Sequence, residues 1–287
     1  MLIAAGQVFA LWSSRVLLDV ATFAGVLLAV ALIDATIEER RRRYGSRNFR
    51  VDLTYALLYL GPFPLLAFVV ARLVRGVLGH VVPHAQISAV GALGPVAQFG
   101  IALVAVDLLD YAVHRAMHRF EVLWAFHRIH HSQQVLTVAT AFRFHPAEQL
   151  VSALLYATLF YFLALTATSA VIFAVVARVV LWLTHADLDL SFGWIGRLFV
   201  SPRFHSLHHS TAPEHRDRNF GSVLSVWDFA FGTAVAASRK ATSYGVDGAP
   251  IRESFVAQLG APATALRALL RRKRVMPLEI TTPTEAL

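Results

Sequence analysis

Thirteen histidines punctuate this 287-residue sequence, and eight of them fall in three short boxes. His114 and His118 are four apart in HRAMH; His127, His130 and His131 make HRIHH; His205, His208 and His209 make HSLHH. On a helix, residues i and i+4 share a face. His114 therefore pairs with His118, His127 with His131, and His205 with His209, while His130 and His208, at i+3, project close to those faces. Neutral imidazole is the commonest side-chain metal ligand, so each box offers two or three nitrogens to a common centre. Left without partners near lipid, so many imidazoles would be costly, and metal binding is the expectation. Eight box histidines exceed one tetrahedral zinc and suit two ions of four or five ligands each. Arg115 follows His114, so an HExxH zinc-protease arrangement, with its general base, is missing. Nitrogen-rich sites accept iron, copper, nickel and zinc, and residue types alone do not choose among them. In a lipid setting with open metal positions, paired iron activating O2 is the chemistry expected. His80 and His84, outside any box, read as surface or interfacial residues.

The composition says what surrounds these histidines. The chain is 56% hydrophobic and only 15% charged, with a mean hydropathy of +0.57. A soluble domain is nearer 45–50% apolar and about 25% charged, so the excess apolar surface must face lipid. The net charge of +8 fits basic cytoplasmic loops better than a nucleic-acid partner. Without cysteine, thiolate metal sites and disulfides are both excluded. Lys240 and Lys273 are the only lysines among many arginines, a bias that points to a GC-rich bacterial genome and an inner membrane. The N-terminus lacks a basic leader and a small-residue cleavage site, so no cleaved signal peptide is expected.

A bilayer core needs about 20 apolar residues of helix. Candidate segments are Val16–Ile33, Val51–Val74, Leu93–Val113, Ala147–Leu165 and Ser169–Thr184. The fold class expected is an all-α integral membrane bundle of about 4–5 segments with a cytoplasmic histidine-rich helical cap. Gly61, Pro62 and Pro64 predict a kink or re-entrant turn in the second segment. Six arginines between Arg40 and Arg50 place that loop in the cytoplasm. The boxes and His185 then reach the cytoplasmic face, although Arg72 and Arg75 fit this orientation poorly. Three regions follow: residues 1–92 with the N-terminal membrane segments, 93–250 with the catalytic unit, and 251–287 with a basic amphipathic segment and disordered tail. Residues 186–250 read as a compact cytoplasmic lobe. Trp124, Trp182, Trp194, Phe199 and Trp227 read as interfacial anchors and core rather than substrate stackers.

HRAMH, HRIHH and HSLHH, in that order after paired hydrophobic segments, resemble the fatty acid hydroxylase/sterol desaturase superfamily, over about Asp107 to Thr233. DYAVHR, FRFHPAE and RNFGSVLSVWDFAFGT add to the likeness. The resemblance implies a membrane-embedded di-iron oxygenase that hydroxylates or desaturates an unactivated lipid C–H position. It would hold two non-heme iron ions, use O2 as co-substrate and draw electrons from a separate donor of the ferredoxin or cytochrome b5 type, since no HPGG-type heme loop is present. By position, the ligands implied are His114, His118, His127, His130, His131, His205, His208 and His209, joined by His145 and His185. Where many relatives carry asparagine two residues after the last isolated histidine, this chain has Asp187. His215 is an additional histidine beside the third box.

Residues beside ligands orient the imidazoles and set their tautomers. Asp110, one turn before His114, is the leading candidate; Glu148, Asp187, His215 and Asn219 are others. Asp107, deeper in the apolar segment, is expected to pair with Arg178. Two readings of other classes compete with the oxygenase: a histidine-lined metal transporter, with ligands near mid-membrane, and a zinc-dependent membrane hydrolase.

Overall fold

The computed structural model describes residues 5–35, 42–246 and 251–275. Among the described residues the chain is all-α, with two isolated bridges, Phe199 to Leu224 and Ser210 to Tyr244, in place of strands. The main helices are α1 (Ala5–Asp34), α2 (Arg47–Leu60), α3 (Phe63–Val81), α4 (Pro95–Arg119), α5 (Glu121–His131), α6 (Pro146–Phe162), α7 (Ala167–Thr184), α8 (Pro202–His208) and α9 (Phe255–Val275). Three stretches are long and apolar enough to cross a membrane: Val16–Asp34 within α1, the whole of α3 and the whole of α4. Helices α6 and α7 are shorter and apolar, joined by a tight turn in which Ala164 has φ 50°.

The second membrane segment lies later than expected. The helix ends at Gly61, whose N–H bonds back to the Leu57 carbonyl, and Pro62 restarts the chain into α3. Proline has no N–H to continue a helical ladder, so Val51–Val74 divides there. α3 has no buried residues and is the apolar span. α2 instead enters the protein interior, where Asp52 and Tyr55 are fully buried.

Asp52 is the hub of a buried polar network. It accepts hydrogen bonds from Arg143 Nε at 2.5 Å, from Thr140 Oγ1 at 3.1 Å and from the Gln133 side-chain amide. Arg143 also donates to Glu253 at 3.0 Å and to the Asn48 carbonyl at 3.2 Å. A buried charge is tolerated when paired and saturated with hydrogen bonds. Here that requirement ties α2, the turn after α5 and the chain entering α9 into one unit. The apolar core lies beside it: Phe23 of α1 meets Phe142 and Trp182 edge-on, with ring centroids at 5.0 and 5.4 Å.

Local sequence sets where the histidine-bearing helices begin. Ser201 caps α8 by accepting the Phe204 N–H at 3.2 Å, and Pro202 opens the helix, placing HSLHH at its C-terminal end. Proline at the first helical position and serine before it are a favoured start. Pro95 likewise opens α4, after Gly94 and without a side-chain cap, with His114 and His118 in its last turns. The basic segment expected over 252–274 is helix α9, one side of which packs against α5 and α2. Arg40 and Arg41 of the basic run, and the tail expected to be disordered after Val275, lie outside the described residues.

Candidate metal centre

Nine histidines gather into two adjoining clusters. His114, His118, His127, His131 and His208 form cluster 1; His130, His185, His205 and His209 form cluster 2. Within each cluster one ligand nitrogen per residue lies within 4.8 Å of all the others. The i, i+4 pairs stay together, but the i+3 residues do not join them. His127 and His131 go to cluster 1 while His130 goes to cluster 2; His205 and His209 go to cluster 2 while His208 goes to cluster 1. Adjacent residues on a helix point about 100° apart, so an HH pair faces two centres at once. Each HxxHH box therefore serves both clusters, and the ring centroids of His131 and His209 approach to 4.6 Å across the divide.

Cluster 1 has its outer nitrogens fixed by oxygen. Nδ1 of His114 lies 2.8 Å from the Phe220 carbonyl, and Nδ1 of His208 lies 2.7 Å from the Arg218 carbonyl. Nδ1 of His127 is 3.0 Å from Glu148 Oε1, and Nδ1 of His118 is 3.2 Å from Asp217 Oδ1. A carbonyl only accepts, so His114 and His208 carry their proton on Nδ1, and their Nε2 lone pairs face inward. Nε2 of His114, His127 and His208 is buried without a protein partner. An inward-facing lone pair stripped of water is costly unless a cation receives it. Carbonyl or carboxylate behind imidazole is the outer arrangement that metal-ligating histidines use.

Cluster 2 converges through Nε2. His130 to His185, His185 to His205, and His205 to His209 approach at 3.2, 3.0 and 3.1 Å. His185 gives its Nδ1 proton to the Leu181 carbonyl at 2.8 Å, so its Nε2 can only accept. Two nitrogens each about 2.1 Å from one ion and at right angles to it stand about 3.0 Å apart, which matches these separations. Both clusters thus fit a metal ion by donor type, tautomer and spacing. Burial, then the neighbouring imidazoles, hold His127, His130, His131, His205, His208 and His209 well below the ordinary histidine range. Burial lowers His185 to about 4. Neutral imidazole is the form that ligates.

Several expected residues sit elsewhere. His145 joins neither cluster: it caps α6, Nδ1 accepting the Ala147 N–H at 3.1 Å, with Nε2 3.2 Å from the Leu259 carbonyl. The proline after it starts a helix, which turns the imidazole back onto its own backbone. Asp110 does not touch His114; it accepts a hydrogen bond from Tyr156, and the Phe220 carbonyl occupies the orienting position. Asp107 is held by Val223, Leu224 and Trp227 rather than by Arg178, which pairs with Asp19 of α1. Asp187, at φ 57°, binds Arg43 at 2.8 Å, Lys240 at 2.5 Å and Tyr244, not a histidine. Asn219, at φ 58°, bonds the backbone of Phe204 and Val235. His215 lies in a one-turn helix outside both clusters. Glu148 alone of the five candidates contacts a cluster histidine. The carbonyls of Arg218 and Phe220 were invisible to sequence reasoning because backbone carbonyls have no residue-type signature, and Asp217 because it meets His118 from ninety-nine residues away. Phe144, stacked on His130 at 4.2 Å, is likewise placed only by the fold.

The chain is an all-α protein with membrane-length helices, and two adjoining polyhistidine clusters able to hold metal lie at the end of one of them. Residues 99–233 match the family model described as fatty acid hydroxylase. The chain is 31% identical over 166 residues to the ornithine lipid hydroxylase OlsE of Rhizobium tropici, covering 58% of this chain and 50% of that one. It is 33% identical over 144 residues to alkylglycerol monooxygenase of Danio rerio, covering 49% and 31%. It is 30% identical over 167 residues to the very-long-chain aldehyde decarbonylase GL1-1 of Oryza sativa subsp. indica, covering 52% and 26%. The chain thus spans half or less of the length of these relatives. No solved structure matches it significantly.

Proposed function

We propose that this protein is a membrane-bound di-iron oxygenase that hydroxylates, or desaturates, an unactivated C–H position of a lipid. The observation carrying this reading is the paired arrangement of nine imidazoles whose lone pairs face two adjoining centres. Relatives named for ornithine lipid hydroxylation and alkylglycerol oxygenation support a lipid substrate. In hydroxylation, one atom of O2 enters the C–H bond and the other leaves as water, with two electrons and two protons supplied from outside. Iron bound at the clusters would supply the O2 chemistry, which no side chain can perform. Cluster 1 would hold one ion through His114, His118, His127, His131 and His208, and cluster 2 the other through His130, His185, His205 and His209.

The chain's own part is to position and exclude. Phe220, Arg218, Glu148 and Leu181 keep the ligating nitrogens deprotonated and aimed. Burial of the clusters excludes water from the reacting centre. The electron donor is a separate ferredoxin or cytochrome b5 type protein with its reductase, drawn to the basic surface. Six arginines from Arg40 to Arg50 favour a bacterial inner membrane with the clusters on the cytoplasmic face. Purified protein should contain about two iron ions per chain by the donor count. It should consume O2 when given reductant and a membrane lipid extract, with product lipids gaining an oxygen or losing two hydrogens by mass spectrometry. Metal-dependent turnover without O2 consumption would defeat the reading.

A further inference from the structure

Asp107 lies seven residues before His114 and twelve before Arg119, about 10 Å and about 18 Å further along α4 at the helical rise. An acid at that depth of a membrane-spanning helix is expensive. Its partners come from the chain that follows the last histidine box. Val223 and Leu224 donate backbone N–H groups at 2.8 and 3.0 Å, and Trp227 donates Nε1–H at 2.9 Å. One turn nearer the clusters, the Tyr111 hydroxyl is 2.9 Å from Thr233 Oγ1 and its ring stacks on Phe231 at 5.4 Å. A turn further, His114 meets the Phe220 carbonyl at 2.8 Å. Positions 107, 111 and 114 share one helix face. Residues 220–233 therefore run alongside about two turns of a membrane span.

The stretch before α8 is stitched to the same region. Val200 N–H bonds the Val223 carbonyl at 2.9 Å, Ser225 N–H the Leu198 carbonyl at 3.0 Å, and Ser225 Oγ the Gly196 carbonyl at 2.8 Å. Across residues 190–199 and 220–233 the only charged residues are Arg197 and Asp228. Asp228 is fully buried, accepting from the Phe220 and Gly221 N–H groups. The side chains left facing outward are large and apolar: Trp194 is 83% exposed, and Leu190, Leu198, Phe229 and Phe231 are all between 44% and 52% exposed. Facing water, apolar surface of this kind is unfavourable at about 25 cal/mol per Å². At the depth set by Asp107 it meets acyl chains instead.

We propose that residues 190–200 and 220–233 form a membrane-inserted wedge whose outward apolar face contacts lipid acyl chains beside α4. This replaces the reading of residues 186–250 as wholly cytoplasmic. Arg197 reaches back toward the headgroups along its aliphatic stem. The wedge brings bilayer lipid to the edge of cluster 1, because Phe220, at its upper end, holds His114. It stands independently of which metal binds and of the reaction catalysed.

The chain has no cysteine, so single-cysteine spin labelling is clean. Trp194→Cys and Leu198→Cys carry the label at the wedge, and Ser238→Cys carries it on the exposed cap. In phospholipid nanodiscs, collisions with O2 relative to a water-soluble nickel chelate should be several-fold higher at 194 and 198 than at 238. Ready access by the nickel reagent at 194 and 198 would overturn the proposal. So would shielding from both reagents, which would mean that a second copy or another protein covers the face. If Trp194→Cys fails to fold, Leu198→Cys makes the same measurement alone, with retained metal content as the check on folding.

Discussion

The two histidine clusters are built from the same boxes yet held in different ways. In cluster 1, four of five imidazoles are backed by an oxygen acceptor: two carbonyls, Glu148 and Asp217. In cluster 2, His185 alone has such a backing, and Nδ1 of His130, His205 and His209 is buried without a partner. Cluster 2 is fully buried, whereas His114 and His118 of cluster 1 are partly exposed. Cluster 1 is thus oriented from outside, through hydrogen bonds that exist before any metal arrives. Cluster 2 is oriented by ring packing, such as Phe144 against His130, and by the approach of its Nε2 atoms to one another. A shell of acceptors preorganises ligands; packing alone leaves tautomers to be chosen on binding.

The largest expected effect breaks the two clusters apart. His208→Ala should remove the ion of cluster 1 and His205→Ala that of cluster 2, each halving bound metal and abolishing lipid oxidation. Metal analysis with turnover assays checks this, and loss of both ions in either variant would mean that the clusters bind as one unit. Next, Glu148→Ala should weaken metal binding or activity by about 10–100-fold, confined to cluster 1. Metal titration of that variant should therefore show one affinity changed and the other kept. Asp217, 61% exposed, should matter far less, and Asp217→Asn should stay within about 0.5 kcal/mol of wild-type stability.

The pH dependence of the metal-free protein is a trait the two clusters share, and cluster 2 displays it. His185, with its pKa lowered to about 4, and the three other cluster 2 imidazoles, all held low by burial, stay neutral when folded. Unfolded histidine takes up a proton near 6.5. Below that value the unfolded chain binds more protons than the folded one, so stability falls as pH drops from about 6.5 toward about 4. Thermal unfolding of the apoprotein should follow this course, and bound metal should suppress it until protons displace the ion. The smallest effect is expected outside both clusters. His145→Ala should cost about 1 kcal/mol through loss of the α6 cap and leave the metal content intact; loss of an ion would return His145 to the ligand set.

Much of this was legible in the sequence because it depends on short-range periodicity. The i, i+4 pairs of the three boxes do point together, and the apolar segments over α1, α4 and α7 match helices in the structure. The expected residues that the structure places elsewhere share a cause. Asp110 lies one turn before His114 and Asp187 two residues after His185, yet Asp110 binds Tyr156, and Asp187 binds Arg43, Lys240 and Tyr244; Asp107 binds the chain after the last box rather than Arg178, and His145 caps its own helix. Val51–Val74 was apolar enough to read as one span, but Asp52 within it answers to Arg143, ninety-one residues on.

By itself the sequence determined the kind of chemistry and the surroundings: neutral nitrogen donors in helical register, no thiolates, and an apolar excess that only lipid can cover. These follow from residue type and from spacing within a few helical turns. Tertiary structure alone decided how eight box histidines divide between two centres, that His185 completes the second, and that Glu148 and three backbone carbonyls fix their tautomers. It also decided that the segment after the last box descends beside α4 to Asp107. Such choices depend on which elements meet in space, where hydrogen-bond partners a hundred residues apart compete on equal terms with neighbours in the chain.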